Sequence, residues 1–184
     1  MVFFLAGVHG VGKTSLCSKL TAVLGITSIS AGQLIKEYCG RSDWRPDKKT
    51  EQILSNQQNL LSAVRLFEME NRVFLLDGHF ALLDNTGEVT LIEFDVFGRM
   101  NLSAVVFIED EPHLIAERLK NRDNIPWRAH LVSELQQAEK INAVNFCEFS
   151  GTPLMITTPR NLKGILTFIT ENIKRRLTED HSKD

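Results

Sequence analysis

No apolar run in the 184 residues approaches the roughly 20 consecutive positions a membrane-spanning helix requires, so no transmembrane anchor is expected. The opening run VFFLAGV lacks a basic leader and a small-residue cleavage site, and the chain is expected to be soluble and unexported. Cysteine is scarce. Cys17, Cys39 and Cys147 are odd in number, far apart and without His or Cys at metal-ligand spacing, which reads as reduced thiols in a cytoplasm. Neither sign of charge dominates: 21 Lys and Arg face 23 Asp and Glu, and a net charge of -2 argues against a broad basic face for nucleic acid or anionic membrane. A small anion bound at a local basic site remains compatible. Internal repeats and low-complexity tracts are missing as well; only Thr178 to Asp184 is polar enough to fray.

What is present is alternation. Short apolar runs suited to strands buried on both faces occur at Val2 to Ala6, Ile26 to Ser30, Val73 to Leu76 ending at Asp77, Ala104 to Ile108, and Leu154 to Thr157. Amphipathic helical patterns lie between them at Lys13 to Leu24, Gly32 to Cys39, Thr50 to Glu70, Pro112 to Lys120, Ala129 to Phe149 and Leu162 to Leu177. Strand and helix in turn predict an α/β fold, a mostly parallel five-stranded sheet flanked by helices, within one domain spanning 1–184. Two apolar runs around Asp84-Asn85-Thr86-Gly87 predict a hairpin excursion over 81–96.

One motif carries chemistry by itself. Gly7-Val8-His9-Gly10-Val11-Gly12-Lys13-Thr14, followed by Ser15, matches G-x-x-x-x-G-K-[ST] between a predicted strand and a predicted helix. The glycines let backbone N–H groups turn inward on phosphate oxygens, and the helix beginning at Lys13 adds its positive end. Lys13 is expected to reach the β- and γ-phosphates of ATP and the Thr14 hydroxyl to bind Mg²⁺, while His9 is expected to point outward. Asp77, ending a buried strand, is a second candidate Mg²⁺ ligand, because ligands of such sheets bind outside the carboxyl ends of the strands.

The order of elements resembles that of P-loop nucleoside monophosphate kinases, in particular the archaeal-type adenylate kinases and their eukaryotic nuclear relatives. Ile29-Ser30-Ala31-Gly32-Gln33-Leu34-Ile35-Lys36 sits where those kinases carry ST-G-D-x-L-R, and Asp77-Gly78-His79 where they carry Asp-Gly or Asp-x-His. The resemblance implies the three-layer P-loop NTPase fold with strand order 2-3-1-4-5, acceptor-binding helices over 31–71 and a short lid over 121–128. It makes Gly32, Lys36 and His79 candidates for holding a nucleotide acceptor, to which the residues themselves add Arg41, as a further cation, and Gln57, whose amide on the long helix could read a base edge. It also assigns Arg118 and Arg122, four apart and so on one helix face, to the adenine and the phosphates, with Arg128 a further candidate arginine in the lid. Lys36 stands where the family has an arginine; Arg41, Arg45 and Arg65 are possible substitutes for it. Phe80 and Trp44 could stack on a base or fill a core.

Three functions follow from these residues. The first is ATP-dependent phosphoryl transfer to a nucleoside monophosphate. The second is transfer to another small acceptor, with Asp77, Glu37 or Glu51 as a base. The third is a nucleotide-dependent switch or assembly factor whose hairpin faces a protein partner.

Overall fold

The computed structural model describes residues 1–39, 53–84, 86–124 and 127–181. In chain order these form β1 (Val2–Ala6), α1 (Lys13–Leu24), β2 (Thr27–Ser30), α2 (Ala31–Cys39), α3 (Ile53–Glu70), β3 (Phe74–Gly78), β4 (Ala81–Leu83), β5 (Val89–Leu91), α4 (Phe94–Arg99), β6 (Leu102–Ile108), α5 (Pro112–Asp123), α6 (Ala129–Ser150), β7 (Leu154–Thr157) and α7 (Leu162–His181). Five strands make one parallel sheet in the order β2-β3-β1-β6-β7, while β4 and β5 pair antiparallel as a separate hairpin. With the hairpin strands set aside, β6 and β7 are the fourth and fifth strands of the sheet, as the 2-3-1-4-5 order requires.

The short apolar runs are strands because both of their faces are covered. Along β1, Val2, Phe4 and Ala6 pack on one side with Phe74, Leu76, Phe97 and Phe146, while Phe3 and Leu5 pack on the other with Leu16, Leu20, Ile115 and Ile165. A strand alternating between two cores has no solvent face, so its sequence is apolar throughout rather than alternating. Helices α2, α3, α4 and much of α6 cover the first side; α1, α5 and α7 cover the second.

Some boundaries differ from the sequence reading. Helix α4 is not anticipated by it, since Phe94 to Arg99 is only six residues long and contains Gly98. Strand β6 starts two residues earlier, at Leu102. The tail expected to fray from Thr178 is helical through His181: Thr178 Oγ1 donates to the Arg175 carbonyl at 2.7 Å. Of the expected lid, residues 121–123 are the last turn of α5, which ends on Asn124 in the left-handed region. Arg41, Trp44, Arg45 and Glu51 lie outside the described residues.

Candidate active site

Strand β1 is central, and the chain departs from it to β3 on one side and to β6 on the other, which opens a crevice at the carboxyl ends of the strands. The loop between β1 and α1 fills the base of that crevice. Gly10 holds φ +79°, and a Cβ there would lie 2.7 Å from Leu119 Cγ, so backbone conformation and space both demand glycine. No side chain caps α1, whose N-cap residue is Gly12; the first N–H groups of the helix are left for a ligand. Val8 and Val11 turn into the apolar core and pin the loop from below.

The cleft above this loop has a volume of about 630 Å³. Val8, His9, Gly10, Gly12, Lys13, Thr14 and Ser15 line it from the loop and α1, joined by Asp77 and His79 from the end of β3, and by Arg118 and Arg122 from α5. Gly32 and Lys36 of α2 and Gln57 of α3 line its far side. Beyond them Leu82, Ile92, Val96 and Phe97 form an apolar wall built by the hairpin and α4. Ser30 Oγ accepts the Gln33 N–H at 3.2 Å, so the Ser30-Ala31-Gly32 stretch starts α2 as well as lining the cleft. Gly7 and Val11 shape the loop without reaching the lining. Arg128 is exposed at the N-cap of α6 and does not line the cleft, and neither does Arg65. Phe80 is fully buried against Phe4 and Phe97, which decides for core over base stacking.

Charges are tightly arranged at the base. The Lys13 ammonium donates to the Gly7 carbonyl and, at 3.4 Å, to that of Val8, and stands 3.5 Å from Asp77 Oδ1. Burial pushes the Asp77 carboxyl above its ordinary value, although Lys13 pulls the other way. Thr14 and Asp77 offer a hydroxyl and a carboxylate to the same cleft, hard oxygen donors of the kind and number Mg²⁺ takes when phosphates and water complete its shell. Among the described residues no cluster of three or more His, Cys, Asp or Glu could hold a metal by itself.

Arg118 hangs over the loop. One Nη donates to the Val11 carbonyl at 3.4 Å, and the other pairs with Asp110 Oδ2 at 2.6 Å. Burial pushes the Asp110 carboxyl up, but its bonds to Arg118 and to the Glu111 N–H outweigh this and hold it below the usual carboxylate range. Gln136 fixes the same turn, donating to the Asp110 carbonyl at 3.1 Å. Arg122 is held by its neighbour Asp123 at 2.8 Å and keeps half its side chain exposed.

The structure corrects His9 and adds a residue the sequence reading missed. His9 does not point outward; its ring packs on that of His79, centroids 4.1 Å apart. Beneath His79 lies Glu139 of α6, fully buried, with Oε1 3.0 Å from His79 Nδ1 and Oε2 accepting the Phe80 N–H at 3.0 Å. Burial raises the Glu139 carboxyl to about 8, against the pull of Lys13 and of the Phe80 and Gly7 N–H groups. Asn142, one turn on, donates to the carbonyls of Phe80 and Ile92 at 2.8 and 2.9 Å and so clamps both roots of the hairpin. The signal was in the helix pattern: Glu139 and Asn142 occupy the buried stripe of Val132, Leu135, Ala143 and Phe146, where apolar residues belong.

A five-stranded parallel sheet whose first strand runs into an uncapped glycine loop and a buried lysine defines a P-loop nucleotide-binding protein. The chain belongs to the family described as "AAA domain", whose model matches residues 6–126. It is 27% identical to the "Putative adenylate kinase" of Methanocaldococcus jannaschii over 94% of this chain and 85% of that one. It is also 27% identical to the adenylate kinase of Thermoplasma volcanium, over 83% of this chain and 87% of that protein. Among solved structures, the fold is similar to shikimate kinase from Acinetobacter baumannii, with a TM-score of 0.58, 16% identity and 93% of each chain covered. A gluconokinase from Sinorhizobium meliloti matches at a TM-score of 0.50 and 14% identity, over 100% of this chain and 96% of that one. No described helix is long and apolar enough to cross a membrane.

Proposed function

We propose that the chain is an ATP-dependent kinase of the adenylate kinase type, transferring a phosphoryl group to a nucleoside monophosphate in the cytoplasm. The observation that carries this reading is the convergence in one cleft of the uncapped loop, the Lys13–Asp77 pair and Arg118, opposite a second lobe lined by Gly32, Lys36 and Gln57. Phosphoryl transfer asks a protein mainly for positioning and charge neutralisation. The loop N–H groups and the Lys13 ammonium would neutralise the triphosphate, with the lysine exchanging the Gly7 and Val8 carbonyls for phosphate oxygens. Thr14 and Asp77 would hold Mg²⁺, whose charge offsets that developing between the phosphates. Arg118 is already placed over the loop by Asp110, and Arg122 beside it would swing from Asp123 onto the nucleotide. Residues 31–71 would hold the acceptor, with the Gln57 amide at its base and Lys36 at its phosphate.

The names of the archaeal relatives support the acceptor class. The test is to incubate the chain with ATP·Mg²⁺ and a panel of ribo- and deoxynucleoside monophosphates, nucleosides, or no acceptor, and to quantify ADP and phosphorylated product. A nucleoside diphosphate formed from at least one monophosphate, and abolished in Lys13→Ala, is expected. ADP released with no phosphorylated product would overturn the kinase reading in favour of a nucleotide-hydrolysing switch.

A further inference from the structure

Neither ATP binding nor charge neutralisation explains why a carboxyl is sunk beneath the cleft. Removing an acid from water is costly unless its partners compensate, and Glu139 has no exposed surface at all. Both of its oxygens are engaged, one at His79 Nδ1 and one at the Phe80 N–H, each at 3.0 Å, and the Gly7 N–H is a further donor to the carboxyl. His79 in turn lines the cleft with Lys13 and Asp77, one residue past the end of β3, with His9 of the phosphate loop packed on its ring.

We propose that Glu139 is a positioning residue that fixes the orientation and tautomer of the His79 imidazole at the reacting end of the cleft. The proposal rests on reading the cleft as a phosphoryl-transfer site. A neutral imidazole has one donor and one acceptor nitrogen, and the partner of one nitrogen decides the role of the other. Once ionised, the carboxylate at Nδ1 keeps the proton there and makes Nε2 the acceptor, which is the form able to orient an O–H group such as a water or sugar hydroxyl bound beside the acceptor phosphate. The Phe80 N–H makes the arrangement testable. In Glu139→Gln the side-chain carbonyl must face that N–H, so the amide NH₂ faces Nδ1 and forces the imidazole proton onto Nε2. Shape and the bond to Phe80 are kept while the tautomer inverts.

The decisive measurement is the long-range ¹H–¹⁵N spectrum of the histidine rings at about pH 9, above the value of about 8 to which burial raises Glu139. His79 is identified by its loss in His79→Gln. The proton is expected on Nδ1 in the native chain and on Nε2 in Glu139→Gln, with the backbone amide spectrum otherwise preserved. The same tautomer in both overturns the proposal. In turnover with ATP·Mg²⁺ at the same pH of about 9, where Glu139 is ionised, Glu139→Gln should lower kcat about 100-fold while KM for ATP stays within about two-fold. His79→Gln should do the same, and the double variant should be no slower than His79→Gln alone. Losses that multiply, or a native kcat in Glu139→Gln, overturn it too. If the native chain shows no Lys13-dependent turnover, the functional reading fails and the ring spectra alone decide the role of Glu139. Glu139→Ala leaves the Phe80 N–H unpaired and is expected to lose stability, so Glu139→Gln is the diagnostic variant.

Discussion

Gly78 offers a sharp test of how the floor of the cleft is packed. It pairs with Ala6 across the two central strands, and a Cβ added to it would meet the Cε2 and Cζ atoms of Phe4 at 2.6 Å. Ordinary carbon contacts lie at about 3.5–4.0 Å, so the ring must retreat by about 1 Å. It has little room to do so: Phe4 is 2% exposed and packs on Phe80 and Phe97, with centroids at 5.4 and 5.6 Å. Overpacking of this kind costs about 1–3 kcal/mol, against which the stiffer unfolded chain of an alanine returns about 0.4–1 kcal/mol. A ring with so little room puts the cost in the upper half of that range, leaving a net of about 1–2.6 kcal/mol, and at about 2–4 °C per kcal/mol for a chain of this size Gly78→Ala should lower Tm by about 2–10 °C. Because the interfering atoms belong to one side chain, Phe4→Leu in the same molecule should recover part of the loss, making the double variant more stable than the sum of the single effects allows. Thermal melts followed by circular dichroism measure all four species. An unchanged Tm in Gly78→Ala, or strictly additive losses, would refute this account of the packing.

Other outcomes follow from the same geometry. Asp110→Asn removes the ionic partner of Arg118 and should raise KM for ATP several-fold with the fold intact; unchanged steady-state constants would mean that Val11 and solvent suffice to place the guanidinium. Because the folded Glu139 carboxyl keeps its proton to about 8 while the ordinary value is 4.5, the folded chain binds an extra proton between these values, and this group's contribution to stability falls as pH rises through that window. Denaturant midpoints at about pH 6 and about pH 8 should therefore differ less in Glu139→Gln than in the native chain, and an equal difference would contradict the assignment. Burial pushes the thiols of Cys17 and Cys147 up to about 12, so both should resist iodoacetamide at neutral pH until the chain unfolds; peptide mass mapping that finds either alkylated in the native state would count against their burial.

Sequence legibility tracked how local each feature was. The loop from Gly7 to Ser15 is contiguous, and the apolar runs around it announce strands covered on both sides, so its place in the sheet could be read without coordinates. Asp77 was legible for a related reason: a lone acid at the end of an apolar run marks the carboxyl edge of a parallel sheet. Glu139 was only half legible: its place in the apolar stripe of α6 marks it as buried, but its meaning depends on His79 and Phe80, some sixty residues earlier in the chain. His9 was misread because a loop position says nothing about the ring waiting just past the neighbouring strand. Helix α4 escaped because six residues with an internal glycine give too little periodicity to detect, although its Val96 and Phe97 complete the wall of the cleft.

The central position of β1 also governs when the site can come into being. The first strand of the chain is hydrogen-bonded on one side to residues 74–78 and on the other to residues 102–107, with Val2 in register with both Phe74 and Leu102. Such long-range pairings carry a large loop-closure cost and form late. During synthesis the glycine loop therefore has no rigid base until residues 102–107 have followed it. Nucleotide that binds only the finished loop draws the folding equilibrium forward by mass action, so its abundance should bear on how much of the newly made chain completes its sheet.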